Sequence, residues 1–115
     1  MSKVSTANAR HYAWGPSCDG WHLLEGDDLS VIEERVPPGA FEVRHHHVRA
    51  RQFFFVLAGE ATLELDGVPH RLGVGEGLHV APGVAHQLRN DGGSDLRFLV
   101  VSAPKSHGDR VEVPA

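Results

Sequence analysis

Glycine and proline break this chain into short pieces, most of them under ten residues long. Thirteen Gly and seven Pro fall among 115 residues. Between them apolar residues alternate, or cluster as β-branched and aromatic runs, and no stretch keeps a helical period for long. Leu29–Val36, Gln52–Ala58, Ala61–Leu65, Val68–Leu72, Gly77–Gly83, Val84–Asn90 and Asp95–Ser102 read as strand-bearing segments. Asp66-Gly67 is the strongest hairpin signal, because both residues tolerate the positive φ of a tight hairpin turn. Pro37-Pro38-Gly39, Gly59-Glu60 and Asp91–Ser94 mark further turns. Seven or eight short strands at this spacing predict an all-β sandwich or barrel, expected over residues 30–102. Residues 1–29 are expected to form an N-terminal arm, and residues 103–115 a polar C-terminal tail.

The chain is short enough for one domain with a small core. Its formal net charge of −4, with cations scattered, argues against nucleic acid or an anionic membrane as partner. No apolar run is long enough to span a bilayer. The N-terminus lacks the apolar centre of a signal peptide, so a cytoplasmic location is expected. Cys18 is the one cysteine, which excludes an internal disulfide and a thiolate metal cluster.

Two strands are apolar on both faces. Phe53, Phe55 and Leu57 alternate with Phe54 and Val56; Leu96, Phe98 and Val100 alternate with Leu99 and Val101. A small barrel buries one face only, so the outer one needs a cover. A homodimer is the expected arrangement. Trp14, Trp21, Phe41 and Phe98 are expected to be packing residues.

Chemistry concentrates in "RHHHVRARQ", Arg44–Gln52. In an extended strand His45 and His47 share one face and His46 takes the other. The shared-face pair is about 6–7 Å apart at Cα, close enough to converge on one cation. Gln52, which opens the next strand, offers a neutral carbonyl oxygen. His86 supplies a third imidazole from a distant strand. A His-x-His pair is also common on a solvated strand edge, so the surrounding pattern matters.

That pattern reads Gly39-x5-His45-x-His47-x4-Gln52-x6-Gly59, then Gly75-x5-Ala81-Pro82-Gly83-x2-His86-x3-Asn90. It resembles, in order and separation, the two motifs of the cupin superfamily. In detail the chain is similar to the small single-domain cupins often likened to mannose-6-phosphate isomerase. The resemblance implies a single jelly-roll-type β-barrel holding one divalent metal ion, with His45, His47 and His86 as imidazole ligands. The usual ligand glutamate is Gln52 here, and the usual proline of the second motif falls at Ala81.

A glutamine leaves the full charge of a divalent ion uncompensated. The ion would be held more weakly and would be a stronger Lewis acid, suited to an anionic two-oxygen guest. Fe, Mn, Ni, Zn, Co and Cu all suit such donors. The expected function is a metal-dependent enzyme acting on a small oxygen-rich molecule (a carboxylate, an enol or a sugar-like compound) by isomerase, lyase or dioxygenase chemistry. The alternative is a non-catalytic cupin that binds or senses a small ligand. His79 could line the cavity, although an ordinary strand residue is the simpler reading. Arg44, Arg49 and Arg51 read as a solvated rim, and Cys18, Asp19 and His22 carry no recognisable nucleophile motif. "GVGEG" (73–77) lacks the Lys-Ser/Thr of a phosphate loop and reads as a turn.

Overall fold

The computed structural model describes residues 3–114. They form strands β1 (Arg10–Trp14), β2 (Cys18–Glu25), β3 (Ser30–Val36), β4 (His45–His47), β5 (Arg51–Ala58), β6 (Ala61–Leu65), β7 (Val68–Leu72), β8 (Gly77–Val80), β9 (His86–Arg89), β10 (Leu96–Ala103) and β11 (Arg110–Glu112). Two antiparallel sheets face each other. One runs β1-β2-β3-β10-β5-β8 and the other β11-β4-β9-β6-β7. This is the all-β jelly-roll architecture that the strand spacing predicts.

Alternation decides what lies between the sheets. On β10, Leu96, Phe98 and Val100 point inward, as do Phe54 and Val56 on β5. Leu63 and Leu88 meet them from the second sheet, and all seven belong to one buried cluster. Each such side chain contributes about 1.5–3 kcal/mol by leaving water. The Asp66-Gly67 turn has φ of 47° and 86°, the left-handed pair that a two-residue hairpin demands.

Three expectations change. The stretch 1–29, expected as an arm, contains a hairpin hydrogen-bonded into the sheet: β1 pairs with β2, and β2 with β3. The stretch 103–115, expected as a tail, carries β11, which pairs with β4 and extends the sheet of histidines. Phe41 does not pack in the core; it is 55% exposed. Trp21 lies half-buried, with the Arg97 guanidinium 5.0 Å from its ring centre.

The outer face of the larger sheet is apolar along β5, while Glu33, Arg35 and Arg97 take the outward register on β3 and β10. Phe53 and Leu57 are exposed there, and Phe53 and Phe55 stack at 6.4 Å between ring centres.

Candidate metal centre

The histidine site is assembled from strands far apart in sequence. β4 pairs with β9 antiparallel, and the register sets His45 directly opposite His86. His47 lies two residues along β4 on the same face, so all three rings turn into the barrel. His45, His47 and His86 are buried, at 3%, 6% and 0% exposure. One nitrogen from each falls within 4.8 Å of the others. His46 points away, half-buried, opposite Val111 of β11.

Backbone carbonyls orient two of the rings. His45 Nδ1 donates to Val43 O at 2.8 Å, and His86 Nδ1 donates to Val84 O at 2.9 Å. A carbonyl only accepts, so Nδ1 carries the proton and Nε2 keeps its lone pair. His86 Nε2 is buried with no hydrogen-bond partner, as is His47 Nδ1. Burial lowers His45 to about 3 and His47 to about 4, with neighbouring imidazoles adding to the shift. His86 is lowered as well, mainly by burial. The rings are therefore neutral at physiological pH and free to ligate.

Gln52 comes from the opposite sheet. Its side chain is buried, and its Nε2 donates to Ser102 Oγ at 3.1 Å. That bond leaves Oε1 buried without a partner. Three neutral imidazoles and an orphaned amide oxygen fit a divalent cation: borderline nitrogen donors with one hard oxygen. The β4–β5 connection is pinned by Asp109, whose carboxylate accepts the N–H groups of Arg49 at 2.9 Å and Ala50 at 2.8 Å.

His45, His47 and Gln52 open onto a cavity of about 930 Å³. Its walls include four side chains that strand patterning alone did not single out: Tyr12, Glu34, Glu42 and Arg110. Tyr12 Oη donates to Glu34 Oε2 at 2.6 Å. Glu42 Oε1 accepts the Leu88 N–H at 3.0 Å. Burial pushes Glu34 up to about 7, against the hydrogen bond from Tyr12. Burial, helped by the charge of Glu34, pushes Glu42 up to about 8. Glu34 carried a signal in the sequence. It occupies the inward register of β3 with Ser30, Ile32 and Val36, where an acid is out of place. Glu42 and Arg110 lie outside the expected strands and carried none.

Other early candidates fall elsewhere. His79 is exposed and accepts a hydrogen bond from Arg51 Nε at 3.3 Å outside the barrel. Arg44 is not a free rim cation, since it pairs with Glu64 at 3.1 Å. Cys18 is buried, and burial raises its thiol; Asp19 bonds His11 and Arg35 instead. Asn90 is a structural residue, donating to Val36 O and Ser94 O.

Residues 32–102 match the family model for the cupin domain. The chain is a cupin. Protein SchB of Streptomyces halstedii is 36% identical over 69 residues, which cover 60% of this cupin and 50% of that protein. The cupin spans about half the length of the curated relatives it matches. KdgF from Halomonas sp. superposes with a TM-score of 0.84 at 20% identity, covering 93% of this chain and 96% of that one. The polyketide cyclase RemF from Streptomyces resistomycificus gives 0.83 at 22% identity, covering 100% and 87%. Likeness at that identity is likeness of fold. A sugar phosphate isomerase of the cupin superfamily from Silicibacter pomeroyi gives 0.78 at 22% identity, covering 90% and 76%, a hint of the mannose-6-phosphate isomerase likeness that goes no further than fold.

Proposed function

We propose that this cupin is a metal-dependent enzyme that binds one divalent ion through His45, His47, His86 and Gln52. It acts on a small, oxygen-rich molecule by isomerase or lyase chemistry, or by dioxygenase chemistry with a redox metal. The reading is carried by three buried, neutral imidazoles whose nitrogens converge within 4.8 Å at the wall of a cavity large enough for a drug-sized guest. When bound, a divalent ion supplies Lewis acidity that polarises a carbonyl or enol oxygen.

The chain's own residues do the rest. The carbonyls of Val43 and Val84 hold two rings in the ligating tautomer. Ser102 turns the amide of Gln52 so that its oxygen is free. Phe54, Ile32 and Val100 line the cavity with apolar surface, which keeps water sparse and strengthens polar contacts. A non-catalytic binding cupin would use the same ligands without a proton-transfer group. No helix is long and apolar enough to cross a membrane among the described residues. A cytoplasmic location belongs to the proposal, as does a second copy covering the outer face of Phe53, Phe55 and Leu57.

The test is metal analysis of protein purified without chelator. About one ion per chain is expected, with loss of the ion in His86→Ala while circular dichroism retains the strand spectrum. Protein that takes up no Zn²⁺, Mn²⁺, Fe²⁺, Co²⁺, Ni²⁺ or Cu²⁺ on dialysis sinks the proposal.

A further inference from the structure

The cavity holds two carboxyl groups, Glu34 and Glu42, that the Arg110 guanidinium attracts from a distance but does not pair with. Other half-buried acids pair with a guanidinium: Asp19 with Arg35, Glu33 with Arg97, Glu64 with Arg44. Glu34 and Glu42 form no salt bridge among the described residues. Glu34 is held by a phenol and Glu42 by a backbone amide, partners that fix a carboxyl without charge-matching it. Burying an unmatched carboxylate is costly, and folds retain such groups chiefly at functional sites.

Their placement relative to the imidazoles is specific. The Glu42 N–H donates to Leu88 O at 3.0 Å, and Glu42 Oε1 takes the Leu88 N–H in return. Leu88 lies two residues along β9 from His86, and His86 faces His45. Glu42 therefore sits about 6–7 Å along the barrel wall from the imidazole level, one side-chain step on the same face. It shares the cavity with His45, His47 and Gln52. Glu34 and Tyr12 line the same cavity from β3 and β1. The register explains how they meet. Gly20 of β2 lies between Tyr12 and Glu34 across three strands. A Cβ on Gly20 would stand 2.1 Å from Tyr12 Cζ, so the phenol reaches Glu34 by crossing a residue with no side chain.

We propose that Glu42 is the catalytic acid–base of this cupin, with Glu34 and Tyr12 as its positioning residues, and that its substrates are enolisable ketones carrying a second oxygen donor. This rests on the metal-dependent reading above. In the step, the Glu42 carboxylate takes a proton from a carbon next to the carbonyl. The C–H electron pair becomes the C=C bond of an enolate, and the carbonyl π pair moves onto oxygen. The resulting carboxylic acid exchanges its proton with solvent or keeps it, and then returns a proton to carbon, on either end of the enolate system, which regenerates the carboxylate. No oxidant, reductant or co-reactant is consumed. The environment suits the task, because burial and the charge of Glu34 hold Glu42 near neutrality, where a general base works best. The groups facing the pair are Tyr12 of β1, Cys18 of β2 and Arg110 of β11.

The experiment has two arms. In the first, Zn²⁺-loaded protein is incubated with pyruvate in D₂O, and loss of the methyl proton signal is followed by NMR. Wild type is expected to catalyse exchange, and Glu42→Gln to be at least ~100-fold slower, with zinc content and pyruvate Kd unchanged. Gln keeps the acceptor for Leu88 N–H, so the fold is preserved. In the second, metal-free protein labelled with ¹³C at the glutamate carboxyls is titrated. Glu42 is expected to titrate above the ordinary glutamate range and to move down in Glu34→Gln; Tyr12→Phe should raise Glu34 further. Exchange by Glu42→Gln at the wild-type rate, absence of exchange in zinc-loaded wild type, or ordinary titration of Glu42 each overturns the assignment. Failure to bind zinc or any of the other five ions named above sinks the metal-dependent reading instead, and the carboxyl titration still decides whether the pair is held protonated.

Discussion

Gln52 puts a neutral oxygen where a carboxylate would offset half the charge of a divalent ion. Its replacement by glutamate should tighten binding, since affinity at such sites follows the charge of the ligands. Gln52→Glu is expected to lower the Zn²⁺ Kd by roughly tenfold or more in a chelator-competition titration; an unchanged Kd would place residue 52 outside the donor set. Titrating groups also set the pH response of the metal-free protein. Folded Glu34 and Glu42 titrate near 7 and 8, above their ordinary 4.5. Their stabilisation is complete below the unfolded value and is lost as pH rises through the folded ones. His45 and His47 are depressed to about 3 and 4 from 6.5. They stabilise above 6.5 and lose that contribution as pH falls toward the folded values. Between pH 6.5 and 8 only the carboxyls of these groups change charge. Calorimetric midpoints of metal-free protein should therefore fall across that interval, and fall less in Glu42→Gln. A flat profile would show that the carboxyls are not held neutral.

At the scale of strands, the hairpin β1–β2 shows what sequence patterning could and could not reveal. Its segment, "RHYAWGPSCDGWHLLE", mixes polar, aromatic and small residues without a clean two-residue period. It is a strand pair because it borrows the edge of β3, a tertiary cause invisible in local pattern. The segments β5, β6, β7 and β10 were legible because alternation and turn chemistry agree there. Three of the four proposed metal-binding residues lie in the first motif and were legible from spacing. Tyr12 became legible only once Gly20 was seen beneath its ring. Gly20→Ala should push that ring aside and break its bond to Glu34, destabilising the fold by about 1–3 kcal/mol in urea titration. Unchanged stability, with Tyr12 still bonded to Glu34, would mean that the hairpin tolerates a wider separation from β3.

The molecule presents a row of apolar side chains along the outer face of β5. Phe53 and Leu57 are 42% and 39% exposed, and single exposed residues of this kind are ordinary; an aligned row of them is less so. With a second copy covering that row, Phe53→Asp should turn a dimer into a monomer in sedimentation velocity, with metal content unchanged. A wild-type monomer at tens of micromolar refutes the pairing. A different consequence follows from His45 facing His86 across β4 and β9. The two are forty-one positions apart in the chain, so no local fragment can bring them together before the barrel has closed. Zn²⁺ bound there would act as a late-arriving clasp. Added zinc should slow escape from the native state while leaving the climb toward it unhurried: in stopped-flow chevrons only the unfolding limb should move.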